Sequence, residues 1–421
     1  MTLHLSELDR SFLGGDHGEA SALAMRILVR MAEAAGAERF IDITSAHLDS
    51  CLYHGEAGLH FAERLAATGG RVQVPTTLNV SSLDLLHPEL FRGDATLADH
   101  GRRLMAAYVA IGGEPTWTCA PYQSERRPAF GEHIAWAESN AIVFANSVLG
   151  ARTDRYGDFI DACAAITGRV PEAGLHLDER RAARAVFRLG GLPDGLARSE
   201  ALYPVLGHLV GGATGTLVPV ITGLPQEASE DDLKALGAAA ASSGAVAMFH
   251  AVGVTPEADT IEDALLGGEP DLVIDVSLEA LRSAWADLST GTDGPLTAIS
   301  VGTPHFSVHE MRRMALLFDG RSVATTVSAY LNTSREELAE AAADGTVGRL
   351  REAGVRIVTD TCTYVTPIMG ALDGVVMTNS GKWAYYAPGN MGVDVAFGTL
   401  EDCVESAIAG RVVRDEAVWR G

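Results

Sequence analysis

EASALAMRILVRMAEAAGAERFIDITSAHLDSC, residues 19 to 51, is the stretch that decides the fold class. A helical period runs from Glu19 to Ala35, with Asp16 and Glu19 near its start and Gly36 as a C-terminal stop. RFIDITSAH follows with the length and β-branched content of a buried strand, so His47 and Asp49 fall at or just beyond its end. A helix feeding a strand with a polar end is the repeating unit of an α/β protein, and such ends are where these folds place ligands.

The same grammar recurs along the chain. GLHFAERLAATGG reads as a helix closed by Gly69 and Gly70, and RVQVPTTLNVSSLD as a short strand entering a polar loop. GAVAMFHAVG and GPLTAISVG read as strands ending in Gly, VRIVTDTCTYV delivers Cys362 to a strand end, and GVVMTNSGKWAYY does the same for Ser380 and Lys382. The expected architecture is α/β, with several parallel-sheet subdomains. A boundary is expected in the Gly-rich segment Leu209 to Pro225, giving regions 1–210 and 211–421, with a second possible break at Asp287 to Pro295.

Composition narrows the function. Lys plus Arg total 32 against 55 Asp plus Glu in 421 residues, a formal charge of −23, which argues against duplex nucleic acid as a partner. With 47% hydrophobic and 21% charged residues the chain can bury a large core. No window offers the roughly 18 apolar residues a membrane span needs, and MTLHLSELDRSFLGG lacks the apolar core of a signal peptide. A cytoplasmic location is expected. Five cysteines, an odd number scattered at 51, 119, 163, 362 and 403, do not read as a disulfide framework, so reduced thiols are available for metal.

Three sets of residues could carry chemistry. Cys51, Cys119 and Cys362 sit in polar, aromatic-containing loops, and thiolates suit zinc or iron–sulfur centres; the bland alternative is that each is a small buried hydrophobe. Cys163 and Cys403 lie inside helical patterns, where core packing is the better reading. Among His47, His54, His133, His250 and His305, His47 and His305 stand out because each follows a probable strand, although a lone His is more often a hydrogen-bonded structural residue. Glu138 is a candidate acid or a helix-starting charge. Thr76, Thr77, Asn79 and Ser81 in one loop, with Ser380 and Lys382 in another, offer donors and a cation for a carboxylate or phosphate; ordinary turn chemistry explains any one of them equally well. GxGxxG, GxxxxGK[ST] and HExxH motifs are absent.

Taken together, SAHLDSCLYHGEAGLHFAE, VPTTLNVSSLD, TCAPY, GEHIAWAESNAIVFANSVLGARTDRYGDFIDACAAITGRVP, GTPHFS, TDTCTYV and TNSGKWAYY resemble the catalytic large portion of the aconitase X family, from about residue 15 to about residue 412. The resemblance implies an aconitase-like fold around a central cleft and an iron-dependent hydro-lyase. Family members dehydrate cis-3-hydroxy-L-proline in bacteria or mevalonate 5-phosphate in archaea. It implies iron, mononuclear or as an iron–sulfur cluster (2Fe–2S or another nuclearity), held by Cys119 and Cys362. Archaeal members tend to carry a third Cys before Pro-His, where this chain has Thr303; Cys51 looks like its replacement, as in the hydroxyproline type. His47, Glu138, Ser380 and Lys382 are the expected catalytic residues, and Thr76, Thr77, Asn79, Ser81, Asn146 and His305 the expected substrate contacts. No segment resembles the family's small swivelling domain, which implies a separately encoded small subunit. A protein of another class, one that keeps the fold and binds without catalysing, is the competing expectation.

Overall fold

The chain divides at Ala182/Ala183 into two compact units in the computed structural model, which describes residues 3–292, 294–370 and 372–419. The first unit takes the residues up to Leu83 and Gly93–Ala182, and the second takes Asp84–Arg92 with the residues from Ala183 onward.

In chain order the first unit holds helices α1 (Glu7–Gly14) and α2 (Glu19–Ala35), strands β1 (Phe40–Asp42) and β2 (Ala46–Leu48), α3 (Glu56–Ala67), β3 (Thr76–Leu78), α4 (Ala95–Ala110), β4 (Ala135–Trp136), α5 (Ser139–Phe144), α6 (Ile160–Thr167) and β5 (Arg169–Pro171). A parallel sheet has the order β3-β2-β4, and β1 pairs antiparallel with β5. RFIDITSAH is therefore two strands in two sheets rather than one. The chain changes partner within Ile43–Ser45: Ile43 N–H donates to Gly168 O at 3.1 Å, whereas Thr44 N–H donates to His133 O at 2.8 Å.

The second unit carries two parallel sheets. One is built from β6 (Ala185–Leu189), α7 (Asp194–Ala197), α8 (Leu202–Thr214), β7 (Pro219–Thr222), α9 (Glu230–Ser243), β8 (His250–Ala251), α10 (Ile261–Leu265), β9 (Leu272–Val276) and α11 (Leu278–Asp287), with order β8-β7-β6-β9. The other is built from β10 (Leu296–Phe306), α12 (Val308–Phe318), β11 (Ser328–Thr333), α13 (Arg335–Ala343), α14 (Thr346–Glu352), β12 (Val355–Val358), β13 (Val375–Thr378), α15 (Gly381–Met391), β14 (Asp394–Phe397) and α16 (Leu400–Ala409), with order β12-β11-β10-β13-β14. Its core packs Val301, Phe306, Met311, Leu331, Leu350 and Met377 between strands and helices.

The expected junction at 210/211 lies inside α8. Glycines there serve packing rather than a linker. A Cβ on Gly207 would stand 2.2 Å from the Leu236 carbonyl oxygen, and one on Gly211 2.5 Å from that of Ala240. Bare glycine lets α8 and α9 approach backbone to backbone, the use small residues find in any close helix pair. The second suggested break, 287–295, lies in the connection from α11 to β10.

Parallel strands fix where ligands can sit. In each sheet the strand order reverses at one point, between β2 and β4, between β6 and β9, and between β10 and β13. The crevice beyond the carboxyl ends at such a point is the usual ligand position in open α/β sheets. Polar loops follow at the first and third points. The second is followed by Gly190 and Gly191 and by Ser277, which only caps α11.

Candidate active site

The first unit gathers its chemistry around the ends of β2, β3 and β4. His47 is in register with Thr77 and Trp136 on the flanking strands, and in-register neighbours share a face. His47 Nδ1 lies 2.8 Å from Thr77 Oγ1, and Nε2 has no hydrogen-bond partner among the described residues. Burial pulls the imidazole down to about 4, against the opposing pull of nearby Glu138, so it is neutral at pH 7.

Beyond β2, Asp49 is hydrogen-bonded by the Asn79 side-chain amide. Burial, and then the charges of Glu138 and Asp158, push this carboxyl up to about 7. Asp161, from α6, accepts from the backbone N–H of Asp49 at 2.8 Å and of Ser50 at 3.0 Å and from the Ser50 hydroxyl at 2.9 Å. Glu138 caps α5 through Ala141 N–H at 2.8 Å and is hydrogen-bonded by Asn140, whose amide also donates to the Cys119 carbonyl at 2.8 Å. Asp49 and Asp161 are thus buried carboxyls in which burial favours keeping a proton, suited to acid–base work.

Several expected residues prove to have local jobs. The Cys51 thiol donates to the carbonyls of Asn79 at 3.1 Å and Leu48 at 3.3 Å, and burial raises it well above the ordinary thiol range. Ser81 Oγ donates to Cys51 O at 2.8 Å. Thr76 Oγ1 donates to Val74 O at 2.8 Å, which occupies it in the turn before β3. Asn146 lies in the π-helical turn after α5, donating to Thr153 O at 2.9 Å and accepting from Thr153 N–H at 3.0 Å and from buried Arg181 at 3.1 Å. That pattern is structural and leaves no amide group for a substrate.

In the second unit β10 and β13 deliver their ends to the switch point. Gly302 is left-handed at φ 84, and a Cβ there would lie 2.1 Å from Asn332 O, so only glycine lets β10 pass this close to β11. Thr303 Oγ1 is buried with no hydrogen-bond partner among the described residues. Ser380 donates to the Thr303 carbonyl and caps α15 through Trp383 N–H at 3.0 Å, and Lys382 lies buried in the first turn of the same helix. A cavity of about 30 Å³, room for one water-sized molecule, is lined by Thr303, Ser380, Lys382 and Lys234 among others. Lys234 reaches the His305 carbonyl at 3.4 Å while paired with Asp231 at 2.8 Å and with Glu310.

His305 Nε2 lies 3.2 Å from the Thr361 carbonyl oxygen, and the ligand atoms of His305 and Cys362 are within 4.8 Å of each other. Cys119 in the first unit, and His305 and Cys362 in the second, are each buried. Thiol sulfur and imidazole nitrogen are donors that fit iron or zinc and do not suit magnesium or calcium. Cys119 and Cys362 share a local signature: the residue two places earlier, Trp117 at φ 46 and Asp360 at φ 63, is a left-handed non-glycine. Cys163 in α6 and Cys403 in α16 are buried in helices, as their periodicity predicted.

Descriptions of the aconitase X first, second and third domains match residues 2–179, 183–286 and 296–409 respectively. The chain belongs to the aconitase X family. Its relatives include the cis-3-hydroxy-L-proline dehydratase of Pseudomonas aeruginosa, 44% identical over 99% of this chain and 72% of that one. The phosphomevalonate dehydratase large subunit of Methanosarcina mazei is 35% identical over 97% of this chain and 98% of its own. A crystal structure of Thermococcus kodakaraensis aconitase X in holo form superposes with a TM-score of 0.86 at 33% identity, covering 96% of this chain and all of that one. These aconitase X relatives are dehydratases, that is, hydro-lyases, and the fold of parallel α/β subdomains is shared. Among the described residues no helix is long and apolar enough to cross a membrane.

Sequence reading missed Asp161, Asn140 and Lys234 as members of the two sites. Asp161 and Lys234 find their partners 111 and 71 residues away, a separation that leaves no local pattern. Asp49 was placed at a strand end without a role, and only burial beside Glu138 and Asp158 gives it one.

Proposed function

We propose that the chain dehydrates cis-3-hydroxy-L-proline. The observation that carries this is the 44% identity to a dehydratase of that substrate across 99% of the chain, against 35% to a phosphomevalonate dehydratase large subunit. The reaction removes the proton on Cα and the hydroxyl on Cβ, releasing water and leaving an unsaturated cyclic amine that tautomerises to pyrroline-2-carboxylate.

By the family resemblance Cys119 and Cys362 would hold iron, with His305, whose ring atom lies within 4.8 Å of the Cys362 sulfur, as a further donor; iron so bound supplies Lewis acidity toward a departing hydroxyl. Cys51 is the third ligand expected from sequence; His305 is favoured here because the Cys51 thiol is spent on backbone carbonyls. The chain's own residues do the rest. Ser380, Lys382 and the N-terminus of α15 bind the substrate carboxylate, where helix-end N–H groups and the ammonium favour negative charge. His47 and Glu138 handle the Cα proton or the ring amine: with Nδ1–H donated to Thr77, the neutral His47 ring keeps a lone pair on Nε2. Asn79, whose amide donates to Asp49, completes the polar wall of the first-unit site. A separately encoded small subunit is proposed as the partner, supported by the large-subunit names of relatives that this chain matches almost end to end.

The test is anaerobic iron reconstitution with that partner, followed by side-by-side assays on cis-3-hydroxy-L-proline and mevalonate 5-phosphate. Turnover of the first only is expected; turnover of the second only would overturn the substrate assignment. Cys119→Ser and Cys362→Ser should each lose iron. Comparing iron content in His305→Ala and Cys51→Ala then decides the third ligand.

A further inference from the structure

We infer that residues 84–92 are a strap that positions the Cys362 turn, with Asp84, Asp360 and Arg335 as positioning residues; the inference rests on the reading of Cys362 as a metal ligand. The chain leaves the first unit at Leu83 and returns to it at Gly93, and the residues between belong to the second unit. They bracket the turn that follows β12. At one end the Asp84 carboxylate accepts from Thr359 N–H at 2.8 Å and the Thr359 hydroxyl at 2.9 Å, and Leu85 N–H donates to Asp360 at 3.0 Å. At the other, Arg92 N–H donates to Pro367 O at 2.7 Å and its Nε to Ile368 O at 3.0 Å. Cys362 sits between these anchors, its carbonyl accepting from Val365 N–H at 3.2 Å and Thr366 N–H at 3.1 Å.

The turn does not hold this shape by itself. Asp360 is fully buried and left-handed at φ 63, a conformation L-residues other than Asn and Asp rarely adopt and one that persists only where the surroundings over-determine it. Arg335, at the start of α13, supplies that determination with two parallel bonds to Asp360 of 2.6 and 2.7 Å, to which Leu85 N–H adds a third. Asp84 is itself stiffened by accepting from Leu86 N–H at 2.9 Å and His87 N–H at 2.8 Å. A strained residue two places before a ligand cysteine, clamped by an arginine and by a segment detoured from elsewhere in the chain, is the construction expected of a ligand whose direction must be fixed before metal arrives.

The strap also gives the turn a connection in sequence. Ser82, in the loop after β3, is joined to Asp84 through Leu83 alone.

The experiment measures thiol reactivity in the metal-free full-length chain, by alkylation with N-ethylmaleimide and mass-spectrometric readout at Cys362, with Cys119 as internal reference. Buried Cys362 reacts only when its turn opens, so the rate reports local opening. Asp84→Ala and Arg335→Gln should raise the Cys362 rate tenfold or more and leave Cys119 within about twofold, the distinction that separates a local clamp from general loosening. The iron-reconstituted variants should also show an altered electronic absorption spectrum, and Asp360→Asn, which keeps the left-handed preference but offers Arg335 one acceptor oxygen instead of two, should react at a rate between those of the wild type and Asp360→Ala. Cys362 reacting at the wild-type rate in both variants, or Cys119 accelerating equally, would overturn the inference. If Asp84→Ala fails to fold, Arg335→Lys, which keeps the charge and loses the paired bonds, decides by the same comparison. Because labelling needs no metal, iron retained by Cys362→Ser would defeat the ligand reading without touching this measurement.

Discussion

Replacing Asp161 by Asn probes the electrostatics of the first-unit site, and the size of the effect follows from two opposed quantities. Its buried carboxylate accepts two backbone N–H groups and one hydroxyl from Asp49 and Ser50. Each donor left without a partner costs about 1–3 kcal/mol, so truncation to Ala, which strands those three, removes about 3–9 kcal/mol of favourable bonding. Against that, burial has pushed the group from 3.8 up to about 6. Two pKa units at about 1.4 kcal/mol each mean that holding it ionised near neutral pH costs about 3 kcal/mol. The net loss for Asp161→Ala at about pH 7.5 should then be about 3 kcal/mol, the middle of that range less the cost of ionisation.

The sign of the pH dependence is fixed by the raised folded value. The stabilising contribution is complete below the unfolded value of 3.8 and is lost as pH rises through about 6. Between about pH 5 and pH 7.5 the wild type should give up about 1.4 kcal/mol that Asp161→Asn, having no proton to lose, keeps. Urea unfolding of both proteins at the two pH values measures the change, and the comparison cancels every group they share. A wild-type-minus-Asn difference that stays constant within about 0.5 kcal/mol would refute the claim that burial, rather than hydrogen bonding, dominates this carboxyl.

Other predictions follow from the same geometry. His47→Gln should act with the opposite sign: burial holds His47 near 4, so only the unfolded chain gains a proton between about pH 7 and pH 5, and the wild type loses about 2 kcal/mol there that the variant does not; parallel unfolding slopes over that range would count against it. Cys163→Ala and Cys403→Ala should each keep full iron content on metal analysis, since both thiols pack inside helices, and loss of iron from either would reopen the ligand set. Gly207→Val should destabilise by about 3 kcal/mol, because its Cβ has nowhere to go beside the Leu236 carbonyl; an unchanged melting temperature would mean α8 and α9 can part cheaply.

Much of the architecture was legible because it is local. The period from Glu19 to Ala35, the β-branched runs and the glycines that end them are written within a few residues of one another, and α2, β10, β12 and β13 stand at or within the positions those runs predicted. The failures are equally physical. A single apolar run, RFIDITSAH, serves two sheets because its hydrogen-bond partners, Gly168 and His133, lie far along the chain. Glycines of Leu209 to Pro225 such as Gly211 read as a junction because sequence cannot distinguish a glycine that frees the backbone from one that lets two helices touch.

The sequence by itself determined the family, the parallel α/β class and the loops that carry polar residues, since each depends on short-range pattern or on motifs in order. Tertiary structure alone decided which polar residues are committed elsewhere, as Thr76 and Asn146 are, and which are kept ready, as Thr303 and His47 are. It alone decided protonation as well: Asp49 near 7, Asp161 near 6 and His47 near 4 owe their values to burial. Burial is a property of everything packed around a group, and no neighbour in sequence supplies it.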